Sequence, residues 1–394
     1  MGELIRFING RAYKQAELLQ NGKYKVLRVG NFFTNSSWYY SDLELEEDKY
    51  CNKGDLLYAW SASFGARIWE GEKTIFHYHI WKLDFDETIL DKEFLFYFLE
   101  YDKNQIKEST TGSTMIHISM EHMVCRSIYI PPLNEQKRIV DQLKRLLSLV
   151  NLIEKEQIEL SNSIEAIKSF ILSHAISGKL VPQDPSDEPA IELLRRINPG
   201  FKPCDNSHYE DLPIGWSICT LYDICDTING LWKGKNPPFI NVGVIRNANF
   251  TKDFNLDYSK IEYIDVEQRA FEKRNLEDGD LIVEKSGGSD NFPVGRSILY
   301  QGESGKYSFS NFTMALRIKD KSLIHSKYLY FVILHKYLSG EMTQMQTQTT
   351  GLHNLLSDKY MSMPIPMPPT NEQNRIIGCI EELLNQLKNI KTVL

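Results

Sequence analysis

Residues Pro131 to Leu147 read PPLNEQKRIVDQLKRLL, and residues Pro368 to Leu384 read PPTNEQNRIIGCIEELL. Their Pro-Pro, Asn-Glu-Gln, Arg and Leu-Leu positions coincide at a constant offset, 368 − 131 = 237 residues. Solenoid repeats have periods of a few tens of residues, so an offset this long indicates a duplicated domain. The sequence therefore predicts two related halves, each followed by a helix that begins near the Pro-Pro pair.

Weaker similarities precede each Pro-Pro pair. Their offsets differ, which indicates insertions and deletions between them, whereas the helix after each Pro-Pro pair keeps one offset. This pattern is expected when one segment retains a common partner while the other changes what it recognises. The matching segments are Ile8-Asn9-Gly10 with Ile228-Asn229-Gly230, Gly54-Asp55-Leu56-Leu57 with Gly279-Asp280-Leu281-Ile282, and Thr110-Thr111-Gly112 with Thr349-Thr350-Gly351.

The composition is that of a globular protein with room for two or three domains. Of its 394 residues, 42% are hydrophobic and 11% are aromatic. The first residues lack the regions of a signal peptide, and no stretch reaches the length of a membrane span, so we expect a cytoplasmic protein without membrane contact. The six cysteines form no CxxC pair, so we expect neither a metal site nor a disulfide framework.

The formal net charge is −7, whereas neutralising the phosphates of DNA requires Lys and Arg. Acidic runs such as Asp42 to Asp48 and Asp184 to Glu188 can offset a basic surface elsewhere. The charge therefore argues against a protein that coats DNA alone. It leaves room for one that reads DNA as part of a larger basic assembly.

An apolar stripe follows the first Pro-Pro motif, and its members are alternately four and three residues apart. Such a seam, sustained over about four heptads, predicts a coiled coil. Gln157 is the one polar residue in the seam, and Gly178 is expected to end the helix. The seam residues are Ile139, Leu143, Leu146, Val150, Ile153, Leu160, Ile164, Ile167 and Ile171.

The second Pro-Pro motif begins an equivalent stripe. Two helices with one pattern in one chain can bury each other's stripes, and the long intervening domain permits an antiparallel coiled coil. In the alternative arrangement, each stripe packs only on its own domain and leaves its outer turns exposed. The second stripe consists of Ile376, Ile380, Leu383, Leu387, Ile390 and Leu394.

The segments before the two Pro-Pro motifs combine short β-like runs with one aromatic-rich helical stretch each, at Lys92 to Tyr101 and Ser326 to His335. We therefore predict an α+β protein with two duplicated α/β domains separated by long helices. Between the copies, residues 190 to 197 predict a short helix. The β-like runs are Tyr24 to Val29, Asp55 to Trp60, Ile75 to Leu83, Ser217 to Leu221, Asp280 to Val283 and Ser308 to Ile318.

Few residues suggest catalysis. Asn236-Pro237-Pro238-Phe239 matches the tetrapeptide of adenine methyltransferases that hold a flipped base, but the Gly-rich turn that would bind S-adenosylmethionine is missing, so we favour a Pro-stiffened loop. His77 and His79 would share one face of a strand, as metal ligands can, but no third ligand is near in sequence. We therefore expect an ordinary pair of strand histidines.

These features together resemble the DNA specificity subunit of a type I restriction-modification system. The resemblance rests on the duplicated Pro-Pro-x-Asn-Glu-Gln-x-Arg-Ile helix start, and on Ser177 to Asp184 with Ala190 to Leu194, which are similar to the family's central conserved region. It implies two target recognition domains, each reading one half of a bipartite site in double-stranded DNA. It also implies that two modification subunits dock on the conserved helices, and that a restriction or motor subunit joins through the complex.

The resemblance implies no cofactor and no catalysis in this chain. It gives target recognition domains at 1–130 and 211–367, conserved coiled-coil helices at 131–177 and 368–394, and a loop, short helix and linker at 178–210. The first domain and the last helix are expected to be short relative to the family. Two alternatives stay open: the specificity subunit of a fused restriction-methylation enzyme, and a stand-alone adenine-specific DNA methyltransferase that uses Asn236 to Phe239.

Side chains that reach base edges and phosphates are Arg, Lys, Asn, Gln, Ser and Thr on loops. We expect the DNA contacts among such residues in each copy. The candidates in the first copy are Arg11, Lys14, Arg28, Asn31, Ser61, Ser63, Arg67, Thr110, Thr111, Gly112 and Ser113. The candidates in the second copy are Lys233, Lys235, Arg246, Asn247, Asn249, Lys285, Ser286, Arg296, Thr349, Thr350 and Gly351.

Overall fold

The structure, a computed structural model, divides into two compact units, Met1–Lys155 and Glu156–Leu394. The boundary lies inside the longest helix. The structure describes residues 1–61, 64–109, 118–203, 212–232, 234–289, 292–349 and 352–392. The helices are α1 (Val29–Phe33), α2 (Lys92–Ser109), α3 (Met120–Val124), α4 (Leu133–Ile176), α5 (Ala190–Ile197), α6 (Leu221–Ile224), α7 (Gln268–Glu272), α8 (Ser326–Leu338), α9 (Ser357–Met361) and α10 (Thr370–Thr392).

Short strands make up most of the remaining regular structure. The strands of the first copy are β1 (Ile5–Asn9), β2 (Tyr24–Leu27), β3 (Tyr39–Ser41), β4 (Tyr50–Cys51), β5 (Leu56–Ala59), β6 (Gly65–Ile68), β7 (Thr74–Phe76) and β8 (Ile80–Phe85). Those of the second copy are β9 (Ser217–Thr220), β10 (Cys225–Asn229), β11 (Phe239–Ile245), β12 (Glu262–Glu267), β13 (Leu281–Glu284), β14 (Ser286–Gly288), β15 (Ser297–Leu299), β16 (Tyr307–Phe309), β17 (Thr313–Ile318), β18 (Gln346–Thr349), β19 (Leu352–Leu355) and β20 (Pro364–Met367).

The two copies share the strand order of their main sheet, which confirms the duplication. The first contains a sheet of order β1-β8-β5-β6, and the second a sheet of order β10-β17-β13-β15. Beside it, each copy has a second sheet that contains one parallel pair, β2 with β7 and β11 with β16. The predicted aromatic-rich helices are confirmed as α2 and α8, whose apolar residues pack into the cores.

The repeated Ile-Asn-Gly motif has a packing role. A Cβ atom on Gly10 would lie 2.3 Å from the carbonyl oxygen of Phe76, and one on Gly230 would lie 1.8 Å from the carbonyl oxygen of Ser310. Any side chain at these positions would overlap the neighbouring backbone. The glycine therefore lets the end of the first strand approach the turn after β7 or β16 closely in each copy.

Two of the β-like runs predicted from the sequence are each broken in two. The run from Ile75 to Leu83 forms β7 and β8, and the run from Ser308 to Ile318 forms β16 and β17. The breaks fall at residues 77–79 and 310–312, which form turns at equivalent positions. The prediction that His77 and His79 share a face of one strand is therefore wrong, because both lie in the turn.

The glutamine of each Asn-Glu-Gln motif is buried and makes one pattern of hydrogen bonds in both copies. The Gln136 amide oxygen accepts from the Asp91 backbone N–H at 2.7 Å, and its amide nitrogen donates to the carbonyls of Ile89 and Pro131. The Gln373 amide oxygen accepts from the His325 backbone N–H at 2.9 Å, and its nitrogen donates to the carbonyls of Leu323 and Pro368. The motif thus fixes the helix start to the loop before α2 or α8.

Replacement of Gln373 by Leu should destabilise the second copy. The variant leaves the His325 N–H and two carbonyls without their partner, and a buried unsatisfied polar group costs about 1–3 kcal/mol. Urea unfolding measures the loss in the free energy of unfolding. Asn374→Leu, at the adjacent exposed position, is the matched control and should change stability by less than about 0.5 kcal/mol. Equal effects of the two substitutions would contradict the role assigned to Gln373.

Helices α4 and α10 run antiparallel and contribute to one buried core in the second unit. Gln183, just after α4, donates to the Glu372 carboxylate at the start of α10 at 2.8 Å. At the other end, Ile164 of α4 and Leu387 of α10 belong to one buried cluster. The predicted antiparallel pairing of the two apolar stripes is therefore confirmed for this part of the helices.

The middle of the predicted seam is not covered in this chain. Leu146, Val150 and Ile153 are 49%, 48% and 58% exposed, and Ile167 is also exposed. Ile139 and Leu143 near the start of α4 are partly buried, and beyond Gln157 the seam residues Ile164 and Ile171 are buried in the core of the second unit. Within this chain the predicted pairing of the two stripes does not extend to the middle of α4, where no described side chain covers those turns.

Gln157 lies in the exposed part of α4, as expected for a seam residue that faces water. We expect Gln157→Leu to raise the free energy of unfolding by no more than about 1 kcal/mol, because the new side chain gains little burial. Thermal melting measures the change. A clear loss of stability would mean that the Gln157 amide makes a contact within the folded protein.

Candidate nucleic-acid interface

The basic and polar candidates of the first copy occupy different environments. The Arg11 guanidinium binds the Glu17 carboxylate through two nitrogens, at 3.0 and 2.8 Å. Arg28 is exposed, with its guanidinium 5.2 Å from the centre of the Tyr39 ring. The Asn31 amide donates to two backbone carbonyls of the following loop. Lys14 and Arg67 are exposed.

The polar candidates of the second copy form several internal contacts. Arg246 pairs with Glu262 at 2.6 Å. Asn247 and Arg296 both bind Glu284, a carboxylate that is largely buried. Burial raises the pKa of Glu284, and the Arg296 guanidinium opposes that change. These contacts give Asn247 and Arg296 a structural role in this copy.

The remaining candidates of the second copy differ in exposure. The Lys285 ammonium donates to the Asn229 side chain at 3.1 Å, and the Ser286 hydroxyl donates to the Asn354 side chain at 2.6 Å. Lys235 is exposed, and Thr349 ends β18. Lys285 and Ser286 retain partial exposure beside these contacts.

Two candidates are buried, so the expectation of an exposed side chain is wrong for them. Ser61 is 4% exposed and Asn249 is 1% exposed. The Asn249 side chain accepts from the Arg246 backbone N–H at 2.8 Å and donates to the Asp257 carbonyl. It therefore stabilises a turn of the chain. Candidates outside the described residues are Ser63, Thr110, Thr111, Gly112, Ser113, Lys233, Thr350 and Gly351.

Arg28 and Asn31 lie together at a small surface cleft of the first copy. The cleft has a volume of about 240 Å³ and opens where the parallel strands β2 and β7 end. His77 and His79 form part of its wall. Burial, followed by the neighbouring charges of His79 and Arg28, lowers the pKa of His77 to about 4. The His77 ring is therefore neutral at pH 7, with one hydrogen-bond donor and one acceptor.

A second cleft occupies the equivalent place in the second copy. It has a volume of about 260 Å³ and lies where the parallel strands β11 and β16 end. Arg246, Ser310, Asn311 and Phe312 line it, with Trp232 at its edge. The Ser310 side chain is 7% exposed, and within the described chain neither its hydroxyl nor the Arg246 Nε atom has a hydrogen-bond partner.

The candidate set from the sequence missed the turn residues of both clefts. The sequence suggests His77 and His79 only as possible metal ligands, and no motif marks Ser310, Asn311 or Phe312. A signal was present: the motifs Ile8-Asn9-Gly10 and Ile228-Asn229-Gly230 mark equivalent places in both copies. Only the strand register shows which later residues lie beside those motifs.

Among the described residues, no group of three or more His, Cys, Asp or Glu side chains is arranged to hold a metal ion. Asn236 is exposed, and its backbone N–H points to the Glu267 carboxylate at 3.4 Å. Phe239 begins β11. Within the described ranges, none of the helices combines the length and apolar character that crossing a membrane requires.

The comparisons with known proteins agree on one family. The family model described as "Type I restriction modification DNA specificity domain" matches residues 1–162 and 213–394. The type I restriction enzyme EcoBI specificity subunit of Escherichia coli is 23% identical, with 99% of this chain and 80% of the relative covered. The EcoEI specificity subunit, also of Escherichia coli, is 27% identical, with 58% of this chain and only 42% of the relative covered.

A solved structure supports the fold. A chain from a study of complex assembly and conformational transition of the type I R-M system superposes with a TM-score of 0.68 and 18% identity. The superposition covers 100% of this chain and 90% of the other. At this identity the likeness establishes the common fold.

Proposed function

The chain belongs to the family of type I restriction modification DNA specificity domains, and from that premise we propose that it is the DNA-recognition subunit of a type I restriction-modification complex. Each duplicated domain reads one half of a bipartite site in double-stranded DNA. The observation that carries the proposal is the pair of equivalent clefts, one in each copy, with an arginine at each and different side chains beside it. A common backbone arrangement that carries different side chains suits the recognition of two different half-sites.

The helices supply the second part of the proposed function. A bipartite site requires two readers at a fixed separation, and a long continuous helix such as α4 is stiffer than an extended linker. We propose that α4 and α10 set the spacing between half-sites and dock two modification subunits. The restriction or motor subunit joins through that complex. The net charge of −7 is consistent with DNA binding in which partner subunits supply much of the phosphate neutralisation.

We assign no catalytic step to this chain. Its curated relatives are named as specificity subunits of type I restriction enzymes. Methyl transfer and cleavage would belong to the modification and restriction subunits of the complex. The fused restriction-methylation alternative places the same reading role in another assembly. We place the function in the cytoplasm, where bacterial and archaeal DNA lies.

One experiment separates this function from a stand-alone methyltransferase that uses Asn236 to Phe239. Calorimetry with S-adenosylmethionine should detect no binding to the isolated chain, and incubation with DNA should transfer no methyl group. Addition of the modification subunits should start methylation at a defined site. Tight S-adenosylmethionine binding by the chain alone, or methylation without the modification subunits, would refute the proposal.

A further inference from the structure

The turns at residues 77–79 and 310–312 occupy one position in the two copies. The strand β2 is parallel to β7 with Leu27 opposite Phe76, and β11 is parallel to β16 with Ile245 opposite Phe309. The next residue is an arginine in both copies, Arg28 and Arg246. The first strand of each copy is followed by a bridge to the same turn, Arg11 with His77 and Leu231 with Ser310.

The backbone of the two turns is held by equivalent hydrogen bonds. The N–H of His77 donates to the Leu27 carbonyl at 2.9 Å, and the N–H of Ser310 donates to the Ile245 carbonyl at 2.9 Å. The carbonyls of the same two turn residues accept from Ile80 and Thr313, each at 2.9 Å. These bonds involve main-chain atoms only. The turn can therefore carry different side chains on one rigid frame.

The frame is fixed from a second side as well. The last turn residues, His79 and Phe312, accept from the backbone N–H groups of Trp60 at 3.0 Å and Lys285 at 2.8 Å. The close approach of Gly10 to the His77 carbonyl and of Gly230 to the Ser310 carbonyl adds a third constraint. Each turn is thus anchored to three neighbouring segments, which preorganises its side chains for contact with a ligand.

The side chains on this common frame differ in hydrogen-bonding character. The first copy presents two imidazoles and a phenol, His77-Tyr78-His79, and the second presents a hydroxyl, an amide and a phenyl ring, Ser310-Asn311-Phe312. Asn pairs with the two adjacent major-groove groups of adenine, and an apolar ring can contact the thymine methyl group. The buried Ser310 hydroxyl lacks a partner in the described chain, as expected of a group that awaits a ligand, and the Arg246 guanidinium keeps its Nε atom unpaired beside its ion pair with Glu262.

We infer that residues 77–79 and 310–312 are the base-reading segments of the two domains, and that Arg28 and Arg246 are phosphate contacts common to both. This inference rests on the proposed function. An arginine at the same position in both copies suits a phosphate contact, because both domains need such a contact whatever base sequence they read. The differing turn side chains fit the sequence-dependent contact, since base edges specify the site and phosphates position the protein.

The test gives the first turn the side chains of the second, in the complex assembled with the modification subunits. The variant carries His77→Ser, Tyr78→Asn and His79→Phe, so the first turn acquires the side chains of the second. Binding is measured against a DNA panel in which each base pair of the first half-site is varied. We expect discrimination to change by at least about fivefold at one to three base pairs of that half-site, with the second half-site unchanged.

The matched control makes the same kind of replacement at another turn that occurs in both copies. Asn52→Glu with Lys53→Asp gives the first copy the residues that precede Gly279, at a turn that lines neither cleft. It should leave the base preference unchanged. Arg28→Ala should weaken binding to all sequences alike and reduce the salt dependence by about one phosphate contact.

The outcomes distinguish a failure of the inference about the turns from a failure of the proposed function. If the turn variant keeps the wild-type base preference, or loses affinity equally for all sequences, the inference is overturned. The proposed function still stands in that case, provided that the wild-type complex prefers a bipartite site. An Arg28→Ala variant with altered base preference overturns the phosphate assignment. A wild-type complex with no base preference at all overturns the proposed function itself.

Discussion

A chain whose residues 1–130 are replaced by those of another family member should direct methylation to a site with one altered half. The first reader would be new, and the reader in residues 211–367 would be unchanged. The junction is favourable, because Gln136 contacts the first domain through the Asp91 N–H and the Ile89 carbonyl. Main-chain contacts of this kind are available to a substituted domain whatever its side chains.

Methylome sequencing of cells that express the chimaera with its modification subunits measures the result. The reciprocal exchange of residues 211–367 is the control and should alter only the other half. Alteration of both half-sites by either exchange, or of neither, would contradict the assignment of one half-site to each domain.

Insertion of one heptad after Val150 should lengthen the gap between the half-sites by about three base pairs. Seven residues add about 10 Å to a helix, and base pairs in B-DNA are about 3.4 Å apart. The insertion point lies in the exposed middle of α4, before Leu160, so the core to which α4 and α10 both contribute is left intact. A heptad also rotates the following residues by only about 20°.

The control for this prediction separates length from rotation. Insertion of two residues at the same point adds only about 3 Å but turns the following part of α4 by about 200°. It should abolish recognition of the wild-type site. A complex with the heptad insertion that still methylates sites of the original spacing would argue against α4 as the spacer.

The sequence predicted the features that depend on local pattern and repetition. The duplicated motif revealed two related halves, and the periodic stripe with Gly178 gave the extent of α4 to within a few residues. The helix at residues 190–197 was also predicted correctly. These features are decided within a short stretch of chain, where periodicity and helix-ending residues are visible.

Features that depend on distant contacts were not predictable. The runs Ile75 to Leu83 and Ser308 to Ile318 are rich in strand-forming residues. The three-residue turn in each run is held by backbone hydrogen bonds to the segment after the first strand of its copy and to the residue after β5 or β13. Ser61 and Asn249 resemble exposed loop residues in sequence, but tertiary packing buries them. The middle of the seam has coiled-coil periodicity, although this chain leaves it exposed.

The most direct test of the central claim is sequence selection from a random DNA library by the wild-type chain with its modification subunits. The two-reader account predicts enrichment of two short defined sequences separated by a gap of fixed length and no base preference. Enrichment of one continuous sequence, of half-sites at variable spacing, or of no sequence would contradict it.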